Sequence, residues 1–306
     1  MAQNLLGIVI PVYNRAEIVG RTLASIALQT ARGFDCVLVD NGSTDGSPDV
    51  LRRWAAENAT EARPVKVISE PARGAAAARN AGLRELRTPW VLFFDSDDTM
   101  RPGHIQRVLD GIAANPEADI LGWDTMHSIL GIRPFKTENA QWFNLIEGSF
   151  ATQRWAARTE FVRKAGGWNA EVGLWDDIEL GARMLAKNPN VVRLEGEPTV
   201  DIYLQPDSIS TNSEGDYLER MEPALRSIEK YLPPDGRLWC DCKRAISIGD
   251  TMHGASPEVK ARCREKLAEI LGHTKKGSYR LLLKALCRFK ALGGRGQNHI
   301  LKRILL

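Results

Sequence analysis

The chain has 306 residues, which is enough for one large domain or two modest ones. Hydrophobic residues make up 43% of it and charged residues 26%, which excludes a disordered chain, a collagen-like chain and a small disulfide-stapled scaffold. The net charge of +3 hides an asymmetry, because nine basic residues and no acidic residue follow Glu269, so an acidic body precedes a basic tail.

Short apolar segments and segments of helical periodicity alternate over the first 125 residues. The apolar segments span residues 5–10, 36–40, 65–69, 90–95 and 120–123, and the helical ones span 17–29, 48–58, 74–86 and 102–114. This alternation predicts βαβ units and therefore an α/β fold with a buried, mainly parallel sheet. Because ligands of such sheets bind beyond the carboxyl ends of the strands, the residues that follow each strand are the first candidates for a site.

Helices dominate the second half of the chain. The pattern predicts a helix over 176–187, strands over 191–194 and 199–204, and then helices over 217–231, 238–253, 257–271 and 278–292. We therefore expect an α/β domain over residues 1–212 and a helical C-terminal region over residues 213–306.

Neither targeting nor membrane-spanning signals are evident. The first residues carry no basic segment and lead directly into Pro11, which indicates a first strand. No apolar run approaches the roughly 18 residues of a membrane span. Five scattered cysteines form no disulfide framework. These features predict a cytoplasmic protein.

Three carboxylates end the fourth predicted strand, in residues 90–98, WVLFFDSDD. Asp95, Asp97 and Asp98 would repel one another without a positive partner, and carboxylates at this spacing suit Mg²⁺ or Mn²⁺ held together with phosphate oxygens. Strand alternation predicts that Asp95 and Asp97 lie on the same side. The alternative is an acidic loop in which Asp98 caps the next helix.

Candidate donor-binding residues follow the second and third strands. Asp40 ends a strand and can hydrogen-bond a base or ribose, whereas a turn with an N-cap explains Asp45 and Ser47 without it. Residues 74–83, GAAAARNAGL, have a small-residue face that allows close helix packing, and the N-terminus of this helix can face phosphate. Arg79 is either a donor-side cation or a surface arginine. Neither a dinucleotide-binding GxGxxG nor a P-loop occurs.

A second acidic cluster opens the helix predicted over 176–187. Acids are favoured in a first helical turn by the helix dipole, which is one explanation of Asp176 and Asp177. Adjacent carboxylates in a cleft also perturb each other's proton affinity, which suits one of them to act as a general base. The nearby residues 166–168, GGW, can form a flexible rim on which Trp168 is an aromatic platform, and Trp175 is a second aromatic candidate for acceptor support.

Taken together, six motifs in this order resemble the family 2 glycosyltransferases, which have the Rossmann-like GT-A fold with helices on both faces of the sheet. The motifs are IVIPVYNR at 8–15, VLVDNGSTDGS at 37–47, ARNAGL at 78–83, FFDSDD at 93–98, GGW at 166–168 and WDDIEL at 175–180. The resemblance implies an inverting, metal-dependent transfer of a sugar from a nucleotide sugar, with UDP-sugars favoured, to a saccharide or lipid-linked hydroxyl in surface polysaccharide or lipopolysaccharide synthesis.

The resemblance also assigns donor-side roles. Pro11, Tyr13 and Asn14 would border the nucleotide, and Asp40 would bind its base. Arg79 would lie near the donor.

On the metal and acceptor side, Asp95 would face the ribose and Asp97 would bind Mn²⁺ or Mg²⁺, while Asp177 would be the general base. Asp176 replaces the customary glutamate of the family. Gln205 stands where many members have a histidine that binds the metal, and glutamine is a poorer ligand for Mn²⁺ than imidazole.

The tail allows two readings. Arg280, Lys284 and Arg288 recur every four residues beside four apolar positions, which is typical of an amphipathic helix on an anionic membrane surface. A packed terminal helix with a solvated face explains the same pattern. Nucleic-acid binding is not expected, because the body is acidic and aromatic residues are sparse in the tail.

Two other classes of protein remain open at this point. A nucleotidyltransferase also uses acidic metal sites on an α/β sheet, although it usually has a Gly-rich basic segment near the first strand, which residues 11–15 lack. An inactive module that binds nucleotide sugars is favoured by Gln205 and opposed by the retained Asp95, Asp97 and Asp177.

Overall fold

The computed structural model describes residues 3–205, 217–233, 236–296 and Leu301. The strands are β1 (Leu6–Val12), β2 (Phe34–Asp40), β3 (Val65–Ser69), β4 (Trp90–Phe93), β5 (Thr99–Met100), β6 (Ile120–Trp123), β7 (Thr125–His127), β8 (Gly131–Arg133), β9 (Trp155–Arg158), β10 (Val191–Leu194) and β11 (Val200–Ile202). The helices are α1 (Val19–Ala27), α2 (Ser47–Asn58), α3 (Ala75–Glu85), α4 (His104–Ala114), α5 (Ala140–Glu147), α6 (Thr159–Lys164), α7 (Asp176–Leu185), α8 (Tyr217–Ile228), α9 (Gly236–Met252), α10 (Pro257–His273) and α11 (Gly277–Ala291).

The main sheet has the strand order β10-β6-β9-β4-β1-β2-β3. Neighbouring strands in this sheet are parallel, except that β9 runs antiparallel to both β4 and β6. A smaller sheet, β5-β11-β7-β8, lies apart from it and pairs β11 parallel to β7. The expected mainly parallel α/β sheet is therefore confirmed, with one reversed strand in it.

Alternation along β1 divides the core of this domain into two layers. Ile8 and Ile10 face one apolar cluster with residues of α1 and α4, whereas Val9 faces another with residues of α3 and α7. All three side chains are fully buried. Helices therefore cover both faces of the sheet, which is what a nearly continuous apolar strand requires.

Helix α3 packs closely on β1. A Cβ atom added to Gly82 would lie 2.3 Å from Cγ1 of Val9, so only glycine permits this approach. At the start of the helix, Gly74 has φ +117° and its amide donates to Oδ1 of Asn41 at 2.9 Å. The small-residue face predicted from residues 74–83 is thus confirmed.

The helices that follow residue 216 pack on the rest of the protein through one apolar cluster. This cluster joins Trp142 of α5 and Ile178 of α7 with buried residues of α8, α9, α10 and α11, Leu283 and Leu286 among them. Ser227 of α8 also donates to the buried Glu179 of α7 at 2.7 Å. The boundary expected between residues 212 and 213 lies outside the described residues.

Several predicted bounds shift in the structure. Strand β4 ends at Phe93 rather than at residue 95, and α4 begins at His104 rather than at Pro102, whose carbonyl accepts from the Thr30 amide at 2.8 Å in the preceding turn. The small sheet strands β5, β7 and β8, strand β9 and helices α5 and α6 were not predicted, because they are short and lack a clear period.

Within the described part of the chain, no helix is both long and apolar enough to cross a bilayer. All five cysteines are free and buried, as expected from their scattered positions.

Candidate active site

A cavity of about 630 Å³ opens beyond the carboxyl ends of β1 and β4, where the sequence predicted a site. The end of β1 supplies Tyr13 to its wall and the turn after β4 supplies Asp95 and Asp97. The N-terminal turn of α3 and the segment from Ala170 to Asp177 complete the lining. The donor-side and acceptor-side motifs therefore meet in one cavity.

Arg79 connects the two acidic motifs. Its guanidinium donates to Oδ1 of Asp95 at 2.7 Å and to Oδ2 of Asp176 at 2.7 Å. The side chain is only 7% exposed, so these ion pairs are largely shielded from solvent. The alternative of a surface arginine is therefore wrong. Two carboxylates offset the charge of Arg79, which fixes the turn after β4 against the start of α7.

Trp168 lies beneath Arg79 and not at the rim. Its ring centroid is 4.3 Å from the guanidinium carbon, and the residue is 2% exposed between Phe93 and Trp155. The expectation of an exposed aromatic platform is thus corrected, because the ring is covered by the arginine that it supports. A cation over an aromatic face is stabilised by the ring quadrupole, most strongly where water is excluded.

The GGW segment is fixed from the other side by α7. Arg183 forms a two-point ion pair with Glu179, whose side chain is fully buried, and donates to the carbonyl oxygen of Gly167 at 2.7 Å. Asn80 of α3 accepts from the Trp168 amide at 2.9 Å and donates to its carbonyl at 2.8 Å. The segment predicted as a flexible rim is held by side chains from two helices.

The three carboxylates after β4 have different environments. Asp95 is engaged by Arg79 and by Gln153, whose Nε2 donates to Oδ2 at 2.8 Å. Asp98 is 2% exposed and accepts from the amide of Tyr203 and from the same Gln153 side chain. Burial and the two neighbouring carboxylates raise the pKa of Asp98 well above its usual range. Asp98 is therefore a supporting residue inside the turn.

Asp97 is the carboxylate that this turn presents to the cavity. Burial, and then repulsion by Asp95, raise its pKa to about 6, against the lowering influence of Arg15 and Arg21. No ion pair engages it within the described residues. Because β4 ends at Phe93, the turn itself and not strand alternation brings Asp95 and Asp97 to one cavity.

Gln153 is a site residue that the sequence did not reveal. It belongs to a short 3₁₀ turn, Thr152–Arg154, and its amide connects Asp95 with Asp98. A lone glutamine in a segment without periodicity carries no sequence signal, since its role depends on the antiparallel strand β9 that follows the turn.

Asp176 and Asp177 begin α7 at the opposite wall. Burial, and then the neighbouring carboxylate of Asp176, raise the pKa of Asp177 to about 7, whereas Arg79 lowers it. Burial also raises the pKa of Asp176 despite its ion pair with Arg79. A carboxylate with a pKa near neutrality can accept a proton from a hydroxyl more effectively than an ordinary aspartate. Trp175, which precedes the pair, lines the cavity in a left-handed backbone conformation, φ 65° and ψ 31°.

The expected nucleotide-binding residues lie at the ends of β1 and β2 and on the loop after β1. Asn14, at φ 50°, accepts from the Thr44 amide at 2.8 Å and thereby joins the two loops. Asp40 is 8% exposed and its Oδ1 accepts from the Ser43 amide at 3.3 Å. Pro11 and Tyr13 line the cavity.

Gln205 is partly buried and is the last described residue before residues 206–216. The remainder of its motif, residues 206–210, lies outside the described residues. Its neighbour Tyr203 lies under the guanidinium of Arg21, 4.2 Å from carbon to ring centroid, and its amide donates to Asp98.

The residues present fit a divalent cation that takes most of its ligands from a substrate. In the described ranges, no three His, Cys, Asp or Glu side chains form a ready cage for a metal. Asp97, however, faces the cavity with Asp95 beside it and without an ion pair among the described residues. Mg²⁺ is typically bound by one or two carboxylates together with substrate phosphates, and this donor set matches that pattern.

The fold and the cavity define a GT-A glycosyltransferase. Residues 7–164 match the family model described as glycosyl transferase family 2, and the chain belongs to this family. An uncharacterized glycosyltransferase of Haemophilus influenzae (strain ATCC 51907 / DSM 11121 / KW20 / Rd) is 35% identical over 118 residues, 38% of this chain and 37% of that protein. The chain thus aligns with little more than a third of that relative.

Solved structures share the fold across nearly the whole chain. The 1–349 fragment of S. aureus TarS in complex with UDP-GlcNAc superposes with a TM-score of 0.63 at 16% identity, over 94% of this chain and 92% of the fragment. The mannosyltransferase PcManGT from Pyrobaculum calidifontis in complex with GDP-Man and Mn²⁺ gives a TM-score of 0.54 at 19% identity, over 96% and 88% of the two chains.

Proposed function

We propose that this chain is an inverting glycosyltransferase that transfers a sugar from a nucleoside-diphosphate sugar, a UDP-sugar by preference, to an acceptor hydroxyl. The observation that carries the proposal is that Asp97 and Asp177 line one cavity from opposite motifs, with Arg79 between those motifs. One carboxylate can bind a cation beside the leaving diphosphate, while the other can accept the proton of the acceptor hydroxyl. A UDP-GlcNAc complex of a protein with the same fold supports the choice of nucleotide.

In the proposed reaction, the acceptor oxygen attacks the anomeric carbon from the face opposite the diphosphate. The bond from that carbon to the diphosphate oxygen breaks, and the acceptor proton passes to Asp177. A base placed in this way contributes about 10²–10⁴-fold to a rate. The raised pKa of Asp177 suits this role because the carboxylate gains more from accepting the proton.

The donor is held by the other side of the cavity. Tyr13 and Pro11, which line the cavity, border the nucleoside. Asp40 at the end of β2 recognises the base, and Asp95, oriented by Arg79, faces the ribose. Asp97 would hold Mn²⁺ or Mg²⁺, with Gln205 as a further oxygen ligand. When bound there, such a cation would offset the negative charge of the departing diphosphate.

We also propose that residues 1–212 form the catalytic domain and residues 213–306 a helical region that supports it, in an enzyme of surface polysaccharide or lipopolysaccharide assembly. A lipid-linked saccharide acceptor agrees with a basic surface on α11, formed by Arg280, Lys284 and Arg288, which are exposed. Two of the four apolar positions beside this basic surface, Leu283 and Leu286, are buried against the other helices. Contact with an anionic membrane would thus depend on the basic surface, beside the exposed Leu281.

Turnover of UDP-GlcNAc with Mn²⁺ tests the proposal. The wild-type protein is expected to release UDP in a metal-dependent way, and Asp177→Asn is expected to abolish release while calorimetry shows UDP affinity within about twofold of wild type. Glu171→Gln, which changes an exposed acid of the same segment, is the matched control and is expected to keep full activity.

The outcomes separate the alternatives. Unchanged turnover by Asp177→Asn removes that residue from the base role. Tight UDP binding without turnover of any nucleotide sugar identifies an inactive binding module, and release of pyrophosphate from a nucleoside triphosphate and a sugar phosphate identifies a nucleotidyltransferase.

A further inference from the structure

A charged side chain of helix α9, in the C-terminal region, contacts the acceptor wall of the cavity. The ammonium nitrogen of Lys243 lies 4.6 Å from the ring centroid of Trp175, and Trp175 lines the cavity directly before Asp176 and Asp177. The Trp175 ring also packs against the apolar cluster of the C-terminal helices. A helix outside the α/β sheet therefore reaches the residue that leads into the proposed base.

The backbone at Trp175 requires support from its surroundings. A bulky residue seldom adopts a left-handed conformation, and such strain persists at functional sites only where neighbouring groups fix it. At φ 65° and ψ 31°, Trp175 forms the N-cap position of α7. The backbone conformation of Trp175 therefore fixes the position of the first turn of α7, which carries Asp176 and Asp177.

The ammonium group of Lys243 interacts with the aromatic ring of Trp175. Within the described ranges it forms no ion pair, because the nearby acid Asp250 is bound by Lys290 at 2.7 Å. Burial, and then the positive charges of Lys290 and Arg133, lower the pKa of Lys243 to about 8, whereas Asp250 raises it. A partly desolvated ammonium gains more from an aromatic face than an exposed one does.

We propose that Lys243 is a positioning residue for catalysis, which holds Trp175 in its left-handed conformation and so orients Asp177 toward the acceptor. The inference rests on the proposed function of Asp177 and adds to it a role for the C-terminal helical region. Lys243 acts through Trp175 and touches no reacting atom. Its loss therefore slows the chemical step without weakening donor binding.

The test compares Lys243→Met with Lys243→Arg in UDP-GlcNAc turnover. The methionine keeps the length of the side chain without its charge, whereas arginine keeps a cation that stacks on aromatic rings. We expect Lys243→Met to lower kcat about three- to thirty-fold, with KM for UDP-GlcNAc and the calorimetric Kd for UDP within twofold of wild type. Lys243→Arg is expected to recover most of the loss.

Lys276→Met is the matched control. The ammonium nitrogen of Lys276 lies 4.9 Å from the ring centroid of Tyr279 on α11, so this substitution removes a similar contact elsewhere. It is expected to leave kcat unchanged. Trp175→Leu completes a double-mutant cycle. If Lys243 acts through the ring, adding Lys243→Met to Trp175→Leu causes no further loss of kcat.

Several results overturn the inference. One is an unchanged kcat in Lys243→Met, and a second is an additive loss of kcat in the double mutant. A third is a fall in kcat in both Lys243 variants that is accompanied by equal losses of UDP affinity and of thermal stability. If Lys243→Met does not fold, a folded Trp175→Leu with unchanged kcat overturns it as well. Failure of the proposed function is distinct, because then wild type shows no turnover or Asp177→Asn retains it.

Discussion

At the scale of single residues, the environments of four carboxylates divide their roles. Asp95 and Asp176 are bound to Arg79, so their charges are offset within the protein. Asp97 and Asp177 have pKa values raised by burial and by a neighbouring carboxylate. Among the described residues neither Asp97 nor Asp177 forms an ion pair with an arginine, and these are therefore the two carboxylates that a cation and an acceptor proton would stabilise.

The raised pKa of Asp177 predicts the pH dependence of turnover. The base acts when it is deprotonated, so kcat/KM is expected to fall as pH decreases through about 7. With an ordinary aspartate as the base, kcat/KM would stay unchanged until the pH fell to about 4. Rates measured between about pH 5 and 9 check this. A constant rate down to pH 5 would contradict the role of Asp177 or its raised pKa.

Removal of Arg79 is expected to lower stability strongly. Arg79→Met would leave Asp95 and Asp176 partly buried without their partner, which costs about 3–5 kcal/mol when a buried ion pair loses one member. The free energy of unfolding, measured in denaturant, tests this value. In the exposed pair of Arg52 and Asp49, Arg52→Met is the control and is expected to cost less than about 1 kcal/mol. Equal effects of the two substitutions would show that the Arg79 ion pairs contribute little.

At the scale of elements, α3 places Arg79 because it packs so closely on β1. The sequence indicated this packing by its run of alanine and glycine, and the contact of Gly82 with Val9 realises it. By contrast, the strand β9 and the 3₁₀ turn before it could not be predicted, since three apolar residues and an arginine beside a turn fit a strand or a helix equally. The contact of Gln153 with Asp95 and Asp98 was therefore also missed.

Gly82→Ala is expected to destabilise the protein by about 1–3 kcal/mol, because its new methyl group would overlap Val9 in a packed layer. Gly20→Ala in α1 is the control, since a Cβ there meets no atom within 4 Å. That change is expected to be neutral or to stabilise by about 0.5–1 kcal/mol, as alanine does in helices. Denaturant unfolding measures both. An equal effect in the two helices would mean that α3 moves away from the sheet at little cost.

At the scale of the whole molecule, the structure shows where the acidic body and the basic tail of the sequence place their charges. Asp97 and Asp177 belong to the acidic body, and the basic surface of α11 lies on a helix whose opposite face packs on α9. Deleting the tail would remove the buried Leu283 and Leu286 and expose the apolar residues of α9 that they cover, so it would not isolate a membrane effect. Neutralising the basic surface leaves this packing intact.

The triple variant Arg280→Gln, Lys284→Gln, Arg288→Gln is expected to float markedly less than wild type with phosphatidylglycerol vesicles. Each cation near an anionic surface contributes about 1 kcal/mol, and added salt is expected to weaken wild-type binding. Neutralising the exposed Arg52, Arg53 and Lys187 instead is the matched control. Equal flotation of the two triple variants would exclude a specific role of the basic surface.

The sequence by itself determined the alternation of the longer strands and helices and the motifs that belong to glycosyl transferase family 2. These features are local, because period, turn residues and motif spacing act over short stretches of chain. Only the tertiary structure decided that Arg79 pairs with Asp95 and Asp176, that Trp168 is buried beneath it, and that Lys243 reaches Trp175. Those contacts join residues distant in the chain, and their partners are set by the packing of whole elements.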